Sequence, residues 1–434
     1  MVLDYSIMNE EIEDMKLLVV GSGGREHAVI RKLKENTEIE KIYCAPGNGG
    51  ISADAECVDI KATDIESMVK FAVDNAIDFC VVTPDDPLAL GMVDALEEKG
   101  IPCFGPRQNA AIIEASKAFS KDLMKKYHIP TADYEIFEDE KEALKYIEEK
   151  NEFPVVIKAD GLALGKGVLI CETLDDAKSA LHEMMFEHIF GKSGNKVVVE
   201  EYMTGPEVSV LAFTDSKTIK PMISSMDHKR ANDNDEGLNT GGMGTIAPSP
   251  YYTEDIAKTC METIFLPTVN AMNEEGRPFK GCLYFGLMLT PKGPRVVEYN
   301  CRFGDPETQV VLPLLESDLF TIMKACHDET LEDVEVKWSN ESCACVVEAS
   351  GGYPVKYEKG YEIFGLDENG QHEGVIIYHA GSKKENGKYY TNGGRVLGIT
   401  GKGNNLQEAL DKAYKAVKEI TFEKMHYRTD IGKK

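Results

Sequence analysis

Positive charge is scarce in this sequence of 434 residues. Lys and Arg together number 48 against 74 Asp and Glu, which gives a formal net charge of -26. A field of that sign repels nucleic-acid phosphates and anionic lipid at long range. Nucleic acid is therefore not an expected partner, and any phosphorylated ligand must be held locally by backbone amides and a few well-placed cations.

Long apolar runs are missing as well. No uninterrupted hydrophobic stretch approaches the ~20 residues that a membrane-spanning helix needs, so no membrane partner is expected. Residues 1–14 are acidic and lack the apolar core of a signal peptide. We expect a cytoplasmic protein that is a monomer or a weak homodimer.

Cysteine forms no recognisable metal or disulfide pattern. The 11 cysteines are scattered, and none falls into a CxxC pair or a Cys/His cluster with zinc spacing. Reduced structural thiols are expected. With 42% hydrophobic and 28% charged residues, the composition is that of a globular protein, and the length allows roughly two to four domains.

The order of apolar runs and helical patterns predicts an α/β and α+β multidomain chain. A strand at 16–20, a glycine turn and a helix come first, and further apolar runs follow at 41–45, 78–82 and 101–105. This alternation is typical of a doubly wound parallel sheet. The predicted units are an N-terminal extension (1–14), an α/β domain (15–115), a small α+β unit (116–205), a larger multi-stranded unit (206–330) and a small β-rich C-terminal domain ending in a helix (331–434).

The first glycine turn reads Gly-Ser-Gly-Gly-Arg-Glu-His at 21–27. Glycines after a first strand let backbone amides approach a phosphate at a helix N-terminus. A dinucleotide site would need a glycine where Glu26 stands and an acidic residue about twenty positions later, and both are missing. A monophosphate site on Gly23, Gly24 and Arg25 fits better; the alternative is a tight turn with an exposed arginine.

A second glycine-rich loop, at 159–167, lies between two predicted strands and follows Lys158. It is not a Walker loop, because the GxxxxGK[ST] order and the following helix are both missing. The loop either folds over a triphosphate or is a flexible turn. Glu200 and Glu201 end the next strand. Main-chain groups there could bind an adenine, and a carboxylate could bind the hydroxyls of a ribose. The alternative is an acidic strand end that is simply exposed to solvent.

Two further segments, 227–230 (Asp-His-Lys-Arg) and 239–244 (Asn-Thr-Gly-Gly-Met-Gly), combine cations with a glycine loop. Together they predict a second anion site. His228 is expected to be a hydrogen-bonding residue rather than a metal ligand, because no second histidine lies nearby in the sequence.

Glu298 and Asn300 alternate along a predicted strand and therefore point to the same side. Carboxylate and amide oxygens suit a hard cation such as Mg²⁺. Arg302 shares that side if the strand persists, and its guanidinium matches a carboxylate or a phosphate. The alternative is an edge strand with outward polar residues.

Taken together, these motifs resemble those of the phosphoribosylamine–glycine ligases (glycinamide ribonucleotide synthetases), a family of the ATP-grasp superfamily, from about residue 15 to about residue 432. The segments that carry the resemblance are GSGGREHA, APGNGG, FGP, SKAF, IKADGLALGKGV, DHKR, NTGGMG and NCRFGDPETQ. The resemblance implies that ATP, glycine and 5-phosphoribosylamine are converted to ADP, phosphate and glycinamide ribonucleotide in de novo purine synthesis. It also implies that 116–205 and 206–330 are the lid and the catalytic part of an ATP-grasp module.

The resemblance further implies a route and a set of site residues. ATP phosphorylates glycine to glycyl phosphate, which the sugar amine then attacks. The implied residues are Lys117, Lys158, Gly161, Gly165, Lys166, Gly167, Glu200, Glu201 and Glu207 for ATP; Glu298 and Asn300 for Mg²⁺ or Mn²⁺; Asp227, Lys229, Arg230 and Arg302 for catalysis; and Gly23, Gly24, Arg25, Glu26, Asn48, Asp85, Asn239, Thr240, Gly241 and Gly242 for the other substrates.

The chain departs from the family pattern at one point. Where the family usually has Gly-Pro-Glu-x-Pro-Leu, this sequence has Thr83-Pro-Asp85-Asp-Pro-Leu, so the carboxylate near the sugar site is one methylene shorter. In addition, 284–289 lacks the acidic metal ligand that many ATP-grasp relatives carry on this strand, as expected for this family. The metal is therefore expected to depend more on ATP oxygens.

Three other functions compete with this interpretation. A sibling ATP-grasp enzyme, such as a formate-using transformylase or a biotin carboxylase, is disfavoured by the combination of DHKR with NTGGMG. An NAD-dependent oxidoreductase would rest on the first glycine turn alone. A non-catalytic nucleotide sensor is disfavoured because the predicted metal ligands are intact.

Overall fold

The computed structural model describes residues 15–162 and 167–433. The N-terminal part is a five-stranded parallel sheet in the order β3-β2-β1-β4-β5. Its strands are β1 (Met15–Gly21), β2 (Ile39–Pro46), β3 (Glu56–Cys57), β4 (Phe79–Val82) and β5 (Cys103–Phe104). The helices of this region are α1 (Gly24–Leu33), α2 (Ile65–Asp74), α3 (Asp85–Ala89), α4 (Met92–Glu97), α5 (Gln108–Ala115) and α6 (Lys117–Lys126). The predicted doubly wound sheet is confirmed.

The central strand β1 explains this arrangement and locates a ligand crevice. Leu17, Leu18, Val19 and Val20 are all fully buried, as is usual for a parallel strand covered on both faces. The strand order reverses between β1 and β4, and ligands of open α/β sheets bind at the carboxyl ends of the strands at such a switch point. The glycine turn after β1 and the residues after β4 meet there.

A four-stranded antiparallel sheet follows, in the order β6-β9-β7-β8. Its strands are β6 (Tyr134–Phe137), β7 (Val155–Ala159), β8 (Val168–Cys171) and β9 (Val197–Glu201). Two helices, α7 (Glu140–Lys150) and α8 (Leu174–Leu181), share a separate apolar core with this sheet. Asp139 and Thr173 begin these helices because their side chains accept hydrogen bonds from N–H groups of the first turn.

The central region combines a large antiparallel sheet with a small hairpin. Its strands are β10 (Glu207–Asp215), β11 (Ile219–Pro221), β12 (Met226–Asp227), β13 (Arg230–Asn232), β14 (Glu236–Asn239), β15 (Gly244–Ala247), β16 (Lys280–Thr290) and β17 (Gly293–Asn300). The sheet order is β11-β10-β16-β17, and β13 pairs with β14. Helices α9 (Glu254–Cys260) and α10 (Leu266–Glu274) are joined by a π-helical turn.

The last region is built around a third large sheet. Its remaining helices and strands are α11 (Thr308–Val311), α12 (Leu319–Asp328), β18 (Ser342–Ser350), β19 (Glu362–Ile363), β20 (Ile376–His379), β21 (Ser382–Glu385), β22 (Lys388–Thr391), β23 (Arg395–Gly403), α13 (Leu406–Glu419) and β24 (Met425–His426). The sheet order is β12-β15-β18-β23-β20, with β24 beside β18. Two strands from the middle of the chain therefore complete a sheet of the C-terminal region. The predicted domain boundaries stay predictions.

All cysteines are free, and Cys57 alone is exposed. Burial raises the pKa of the Cys345 thiol to about 12, which keeps it protonated at neutral pH. Within the two described segments, no helix combines the length and the apolar character needed to cross a membrane.

Candidate active site

Strand β17 carries the two residues predicted to bind a metal ion. Glu298 and Asn300 lie on one side of the strand, whereas Tyr299 packs on the other side against Phe285, with ring centroids 5.6 Å apart. Gly286 pairs with Glu298 on the neighbouring strand. A Cβ atom on Gly286 would lie 3.0 Å from Cγ of Glu298, so the glycine leaves room for this side chain.

The carboxylate of Glu298 lies among positive charges. The Nζ atom of Lys229 is 3.8 Å from its Oε1 atom. Burial alone would raise the pKa of Glu298, but the charges of Lys229, Lys158 and Lys117 outweigh it, and the pKa lies below the ordinary value. Glu298 is therefore ionised at neutral pH.

The oxygens of Glu298 and Asn300 fit a hard divalent cation. No cluster of three His, Cys, Asp or Glu side chains that could hold a metal ion occurs in the described part of the chain. A cation here would have two protein ligands and would complete its coordination with phosphate oxygens and water, as Mg²⁺ usually does. The expectation that the metal depends more on ATP oxygens stays a prediction.

Two of the predicted nucleotide-binding lysines approach this strand. Lys158 donates to the carbonyl of Val297 at 3.0 Å and pairs with Glu200 at 3.0 Å. Lys117, the first residue of α6, donates to the carbonyl of Gly161 at 3.0 Å. Burial and the nearby charge of Lys158 lower the pKa of Lys117, although Glu298 partly opposes this shift. The two lysines and Glu298 thus form one charge cluster.

Lys121 is a member of this cluster that the sequence interpretation missed. Its Nζ atom lies 3.1 Å from Glu200 and donates to the hydroxyl of Thr131 at 2.7 Å. Burial lowers its pKa to about 8, while Glu200 opposes the shift. The available signal was the spacing of Lys117 and Lys121, one helical turn apart on α6. The other oxygen of Glu200, Oε1, is buried and has no hydrogen-bond partner among the described residues.

Lys229 bridges the predicted ATP and metal residues. Its Nζ atom lies 3.1 Å from Oε1 of Glu207, in addition to its contact with Glu298. Burial opposes the charge of Lys229, but Glu207 and Glu298 outweigh it and raise its pKa. Glu201 forms an ion pair with Arg295 of β17. The three predicted glutamates of the 200–207 segment therefore all reach cations of the site.

The glycine-rich loop between β7 and β8 is described only at its two ends. The N–H of Ala159 donates to the carbonyl of Gly167 at 2.8 Å, which closes the end of the hairpin. Asp160 accepts hydrogen bonds from the start of α6. The predictions for Gly165 and Lys166 lie outside the described residues.

The 227–230 and 239–244 segments pack against each other, and their role as a second anion site stays a prediction. Thr240 donates to the carbonyl of Lys229 through its N–H at 2.8 Å and through its hydroxyl at 2.9 Å. Gly242 has a φ of 111°, and a Cβ atom there would lie 2.6 Å from Oδ1 of Asp227 and 2.5 Å from Cδ of Pro306. Only glycine fits this position without movement of its neighbours.

Two neighbouring residues of the 227–230 segment have different environments. Asp227 is surrounded by protein, and burial together with the charge of Glu307 raises its pKa well above the ordinary value. His228 makes hydrogen bonds at both ring nitrogens, with the carbonyl of Gly244 at 3.1 Å and with the N–H of Gly432 at 3.1 Å. The expectation that His228 is a hydrogen-bonding residue agrees with these contacts.

Arg230 and Asn239 face each other in the β13–β14 hairpin. The guanidinium of Arg230 donates to the carbonyl of Gly237 at 2.9 Å, within the same hairpin. These contacts do not connect Arg230 with the cluster around Glu298. Its predicted catalytic role stays a prediction.

The C-terminal region contributes residues that the sequence interpretation missed. Arg395 donates to the carbonyls of Gly241 at 2.7 Å and Asp305 at 2.9 Å. The hydroxyl of Tyr353 accepts a hydrogen bond from the N–H of Gly241 at 3.1 Å. Burial would raise the pKa of Asp305, but Arg395 and Arg25 outweigh it and lower it. An arginine that opens a buried strand is a signal for a buried cation, but it does not tell which loop the arginine reaches.

At the first glycine turn, the side chain of Glu26 already occupies part of the predicted phosphate site. Glu26 accepts hydrogen bonds from the N–H of Gly23, from Nε of Arg25 at 2.6 Å and from the hydroxyl of Thr83 at 2.6 Å. A Cβ atom on Gly23 would also lie 3.2 Å from Oδ2 of Asp305. A phosphate at this turn would therefore stand beside two carboxylates.

Asn48, predicted to lie near the ribose, holds main-chain segments together. Its Nδ2 atom donates to the carbonyls of Ser22 at 2.9 Å and His379 at 2.8 Å. Its Oδ1 atom accepts from the N–H groups of Gly50 at 3.0 Å and Ile51 at 2.9 Å. These bonds join the first turn to strand β20 and leave the role in ribose binding a prediction.

The remaining residues predicted near the sugar face the segment after β17. A Cβ atom on Gly24 would lie 2.6 Å from Nε2 of Gln309, so the turn packs directly on that segment. Asp85 is the first residue of α3. Burial raises the pKa of Glu114, Arg302 opposes this shift, and the negative charge of Asp85 adds to it. Burial opposes the charge of Arg302, but Glu114 and then Asp85 outweigh it and raise its pKa.

Strand alternation would place Arg302 beside Glu298 and Asn300 only if β17 persisted, and the strand ends at Asn300. The side chain nevertheless reaches the predicted side. Its Nη2 atom donates to Oε1 of Glu114 at 2.8 Å and to Oδ1 of Asn300 at 3.3 Å. A buried partner on α5, rather than strand alternation, orients the guanidinium.

Comparison with known families identifies the chain. Residues 15–114, 115–308 and 343–434 match, in this order, the N domain, the ATP-grasp (A) domain and the C domain of phosphoribosylglycinamide synthetase. The chain belongs to the phosphoribosylglycinamide synthetase family. The resemblance noted in the sequence is confirmed over the same range.

Individual relatives of the phosphoribosylglycinamide synthetase family cover nearly the whole chain. The phosphoribosylamine–glycine ligase of Clostridium acetobutylicum is 48% identical over 96% of this chain and 100% of its own length. That of Caldanaerobacter subterraneus subsp. tengcongensis is 48% identical over 96% of this chain and 99% of its own. The crystal structure of the Thermotoga maritima phosphoribosylamine–glycine ligase has a TM-score of 0.83 and 32% identity, and covers 96% of this chain and 100% of that one.

Biotin carboxylases share only the fold with this phosphoribosylglycinamide synthetase family member. The Campylobacter jejuni biotin carboxylase has a TM-score of 0.73 at 14% identity, and covers 96% of this chain and 93% of that one. The biotin carboxylase domain of Hydrogenobacter thermophilus 2-oxoglutarate carboxylase, in complex with MgADP and bicarbonate, has a TM-score of 0.71 at 18% identity over 95% of this chain and 91% of that one. The predicted ATP-grasp architecture is confirmed, and the sibling biotin carboxylase interpretation is not favoured.

Proposed function

We propose that this chain is a ligase that joins glycine to 5-phosphoribosylamine at the expense of ATP, giving glycinamide ribonucleotide, ADP and phosphate, in de novo purine synthesis. Membership of the family implies the use of ATP with a divalent metal ion. The observation that carries the proposal is the charge cluster on β17. Glu298 and Asn300 present oxygens beside Lys229, Lys158 and Lys117, next to the segments that distinguish this family.

The nucleotide belongs at the lid side of this cluster. Lys117 and Lys158 meet the charge of the triphosphate, and Glu207 is in reach of the same Lys229 that contacts Glu298. Glu298 and Asn300 would hold a Mg²⁺ or Mn²⁺ ion, which would neutralise the charge that develops on the transferred phosphoryl group. The ordered arrangement of these cations before the reaction lowers the barrier, because no reorganisation is needed when the charge moves.

The reaction has two steps. An oxygen of the glycine carboxylate attacks the γ-phosphorus, the bond to the β-phosphate oxygen breaks, and ADP leaves. The amine of phosphoribosylamine then attacks the carbonyl carbon of glycyl phosphate, the bond to the phosphate oxygen breaks, and the amine loses a proton. Lys229 and Arg302 hold the carboxylate and the acyl phosphate through these steps, beside the 239–244 loop.

The sugar phosphate belongs at the turn after β1, at the switch point of the parallel sheet. Arg25 supplies the cation, and the N-terminus of α1 supplies main-chain N–H groups. Glu26 has to turn away from Gly23 when the phosphate arrives, since its carboxylate now accepts the N–H of that residue.

The test is an omission experiment. Purified protein is mixed with ATP, Mg²⁺, glycine and phosphoribosylamine generated in situ, and ADP and glycinamide ribonucleotide are measured. We expect both products only when all four components are present, and a parallel series with Mn²⁺ compares the two metals. ADP release that does not fall when glycine is left out would exclude the proposed reaction.

A further inference from the structure

Glu114 lies at the end of helix α5, outside every motif discussed for the site. Its side chain is 7% exposed. Both of its carboxylate oxygens accept hydrogen bonds from the segment that follows β17, the strand that carries the predicted metal ligands. Oε2 accepts the N–H of Cys301 at 2.8 Å, and Oε1 accepts Nη2 of Arg302 at 2.8 Å.

These two donors directly follow Asn300 in the chain. The same Nη2 atom of Arg302 also donates to Oδ1 of Asn300 at 3.3 Å, and Nη1 donates to the carbonyl of Phe303 at 3.3 Å. The carboxylate of Glu114 on α5 therefore restrains the backbone after Asn300. Through Arg302 it also restrains the orientation of the Asn300 amide oxygen. The strand itself does not do this, because β17 ends at Asn300.

In the described part of the chain, the contacts of the guanidinium leave its Nε donor unpaired. Nε of Arg302 is buried and has no hydrogen-bond partner among the described residues. An unsatisfied buried N–H is costly, and more so on a charged group. A carboxylate or acyl-phosphate oxygen beside Asn300 would satisfy it, provided that the guanidinium is held in its present orientation.

We propose that Glu114 is a positioning residue for the ligase reaction: it holds Arg302 and the main chain at Cys301 so that the guanidinium and the Asn300 amide oxygen address the glycine end of the site together. This inference rests on the proposed function. Glu114 touches neither substrate and acts only through its two partners.

The position of α5 also connects Glu114 with the sugar end of the proposed site. This helix packs against α3, which begins with Asp85 at the carboxyl edge of the parallel sheet. The sugar end and the glycine end of the site are thus built on two helices in direct contact. The buried Glu114–Arg302 ion pair is suited to link these two ends of the site, because the loss of either partner would leave an uncompensated buried charge.

The experiment compares Glu114→Gln with Glu97→Gln. Glu97 is the matched control, since it also forms an ion pair with an arginine, Arg107, at 2.6 Å, but away from β17. For Glu114→Gln we expect kcat/KM for glycine to fall by at least about tenfold while KM for ATP changes less than about twofold. Glu97→Gln should change both by less than about twofold.

A double-mutant cycle with Arg302→Lys separates positioning from general destabilisation. If Glu114 acts through Arg302, adding Glu114→Gln to Arg302→Lys should lower kcat/KM for glycine by less than about twofold further. Effects that multiply in full would overturn the inference, as would unchanged kinetics of Glu114→Gln. Adding Glu97→Gln to Arg302→Lys should give independent effects.

A further variant covers the case in which Glu114→Gln does not fold, as judged by circular dichroism. Glu114→Asp keeps the charge but is one methylene too short to reach both donors, so it should fold and still lose glycine efficiency at least about threefold. Wild-type kinetics of Glu114→Asp would then overturn the inference. Wild-type protein that turns over ATP without glycine would instead contradict the proposed function.

Discussion

The Nζ atom of Lys229 lies 3.8 Å from Oε1 of Glu298. This contact joins the 227–230 segment to strand β17, which carries the predicted metal ligands and lies far from that segment in the sequence. Lys229 is protonated at neutral pH, because the charges of Glu207 and Glu298 together outweigh its burial and raise its pKa. Under the proposed function, Glu298 would have two tasks: to bind the metal ion and to orient a cation toward the reacting carboxylate.

Glu298→Ala tests the first task. We expect the loss of turnover by at least about a hundredfold, because an anionic metal ligand is removed from a cluster of cations. The fold should persist, since Lys229 keeps Glu207 as a partner. Steady-state kinetics and circular dichroism check both points. Near-normal activity would mean that the metal ligands are assigned to the wrong residues.

Gly242→Ala tests the contact between the two anion-site segments. The new Cβ atom would meet Asp227 and Pro306, and we expect a loss of kcat of more than about tenfold together with a lower melting temperature. Gly293→Ala is the matched control. Gly293 has a similar φ of 107°, but a Cβ atom there has nothing within 4 Å.

The comparison of these two variants separates backbone strain from collision. Both substitutions impose the strain of positive φ, whereas only the first also closes the space beside Asp227. Equal loss of activity in the two variants would show that the shape of the 239–244 loop does not matter for the reaction.

A pH prediction concerns the joint between the first and last sheets. His379 is fully buried, and burial together with His27 lowers its pKa to about 3. The unfolded chain binds a proton near pH 6.5 that the folded chain does not bind until about pH 3, so stability falls as the pH drops through this window. We expect the loss to reach about 1.4 kcal/mol per pH unit.

Urea unfolding of wild type and His379→Gln at pH 7 and pH 5 measures this effect. The wild type should lose more stability between the two pH values than the variant does. His182→Gln is a control, because the side chain of His182 is 48% exposed. The prediction is contradicted if His379→Gln and the wild type lose the same amount.

Local sequence patterns predicted the parts of the site that depend on chain periodicity. The alternation of Glu298 and Asn300 followed from strand geometry, and the glycine turn after β1 followed from the transition between strand and helix. In both cases neighbours in sequence determine the geometry. Gly242 was predicted only as part of a substrate site, because its close neighbours Asp227 and Pro306 are distant in the sequence.

The residues that were missed depend on contacts between distant parts of the chain. Glu114, Lys121 and Arg395 lie on elements whose own patterns indicate only helices and a strand, and their partners are visible only after folding. Arg302 shows the same limit in another way. The side chain of Arg302 lies on the predicted side although β17 ends at Asn300, because the carboxylate of Glu114 holds the guanidinium there.

The central claim is that the glycine carboxylate is activated by phosphorylation. It is tested most directly with glycine labelled with ¹⁸O in both carboxylate oxygens, in the complete mixture of ATP, Mg²⁺ and phosphoribosylamine. We predict that the released phosphate carries one ¹⁸O atom and that glycinamide ribonucleotide keeps the other. Phosphate without label, formed at the same rate as ADP, would contradict it.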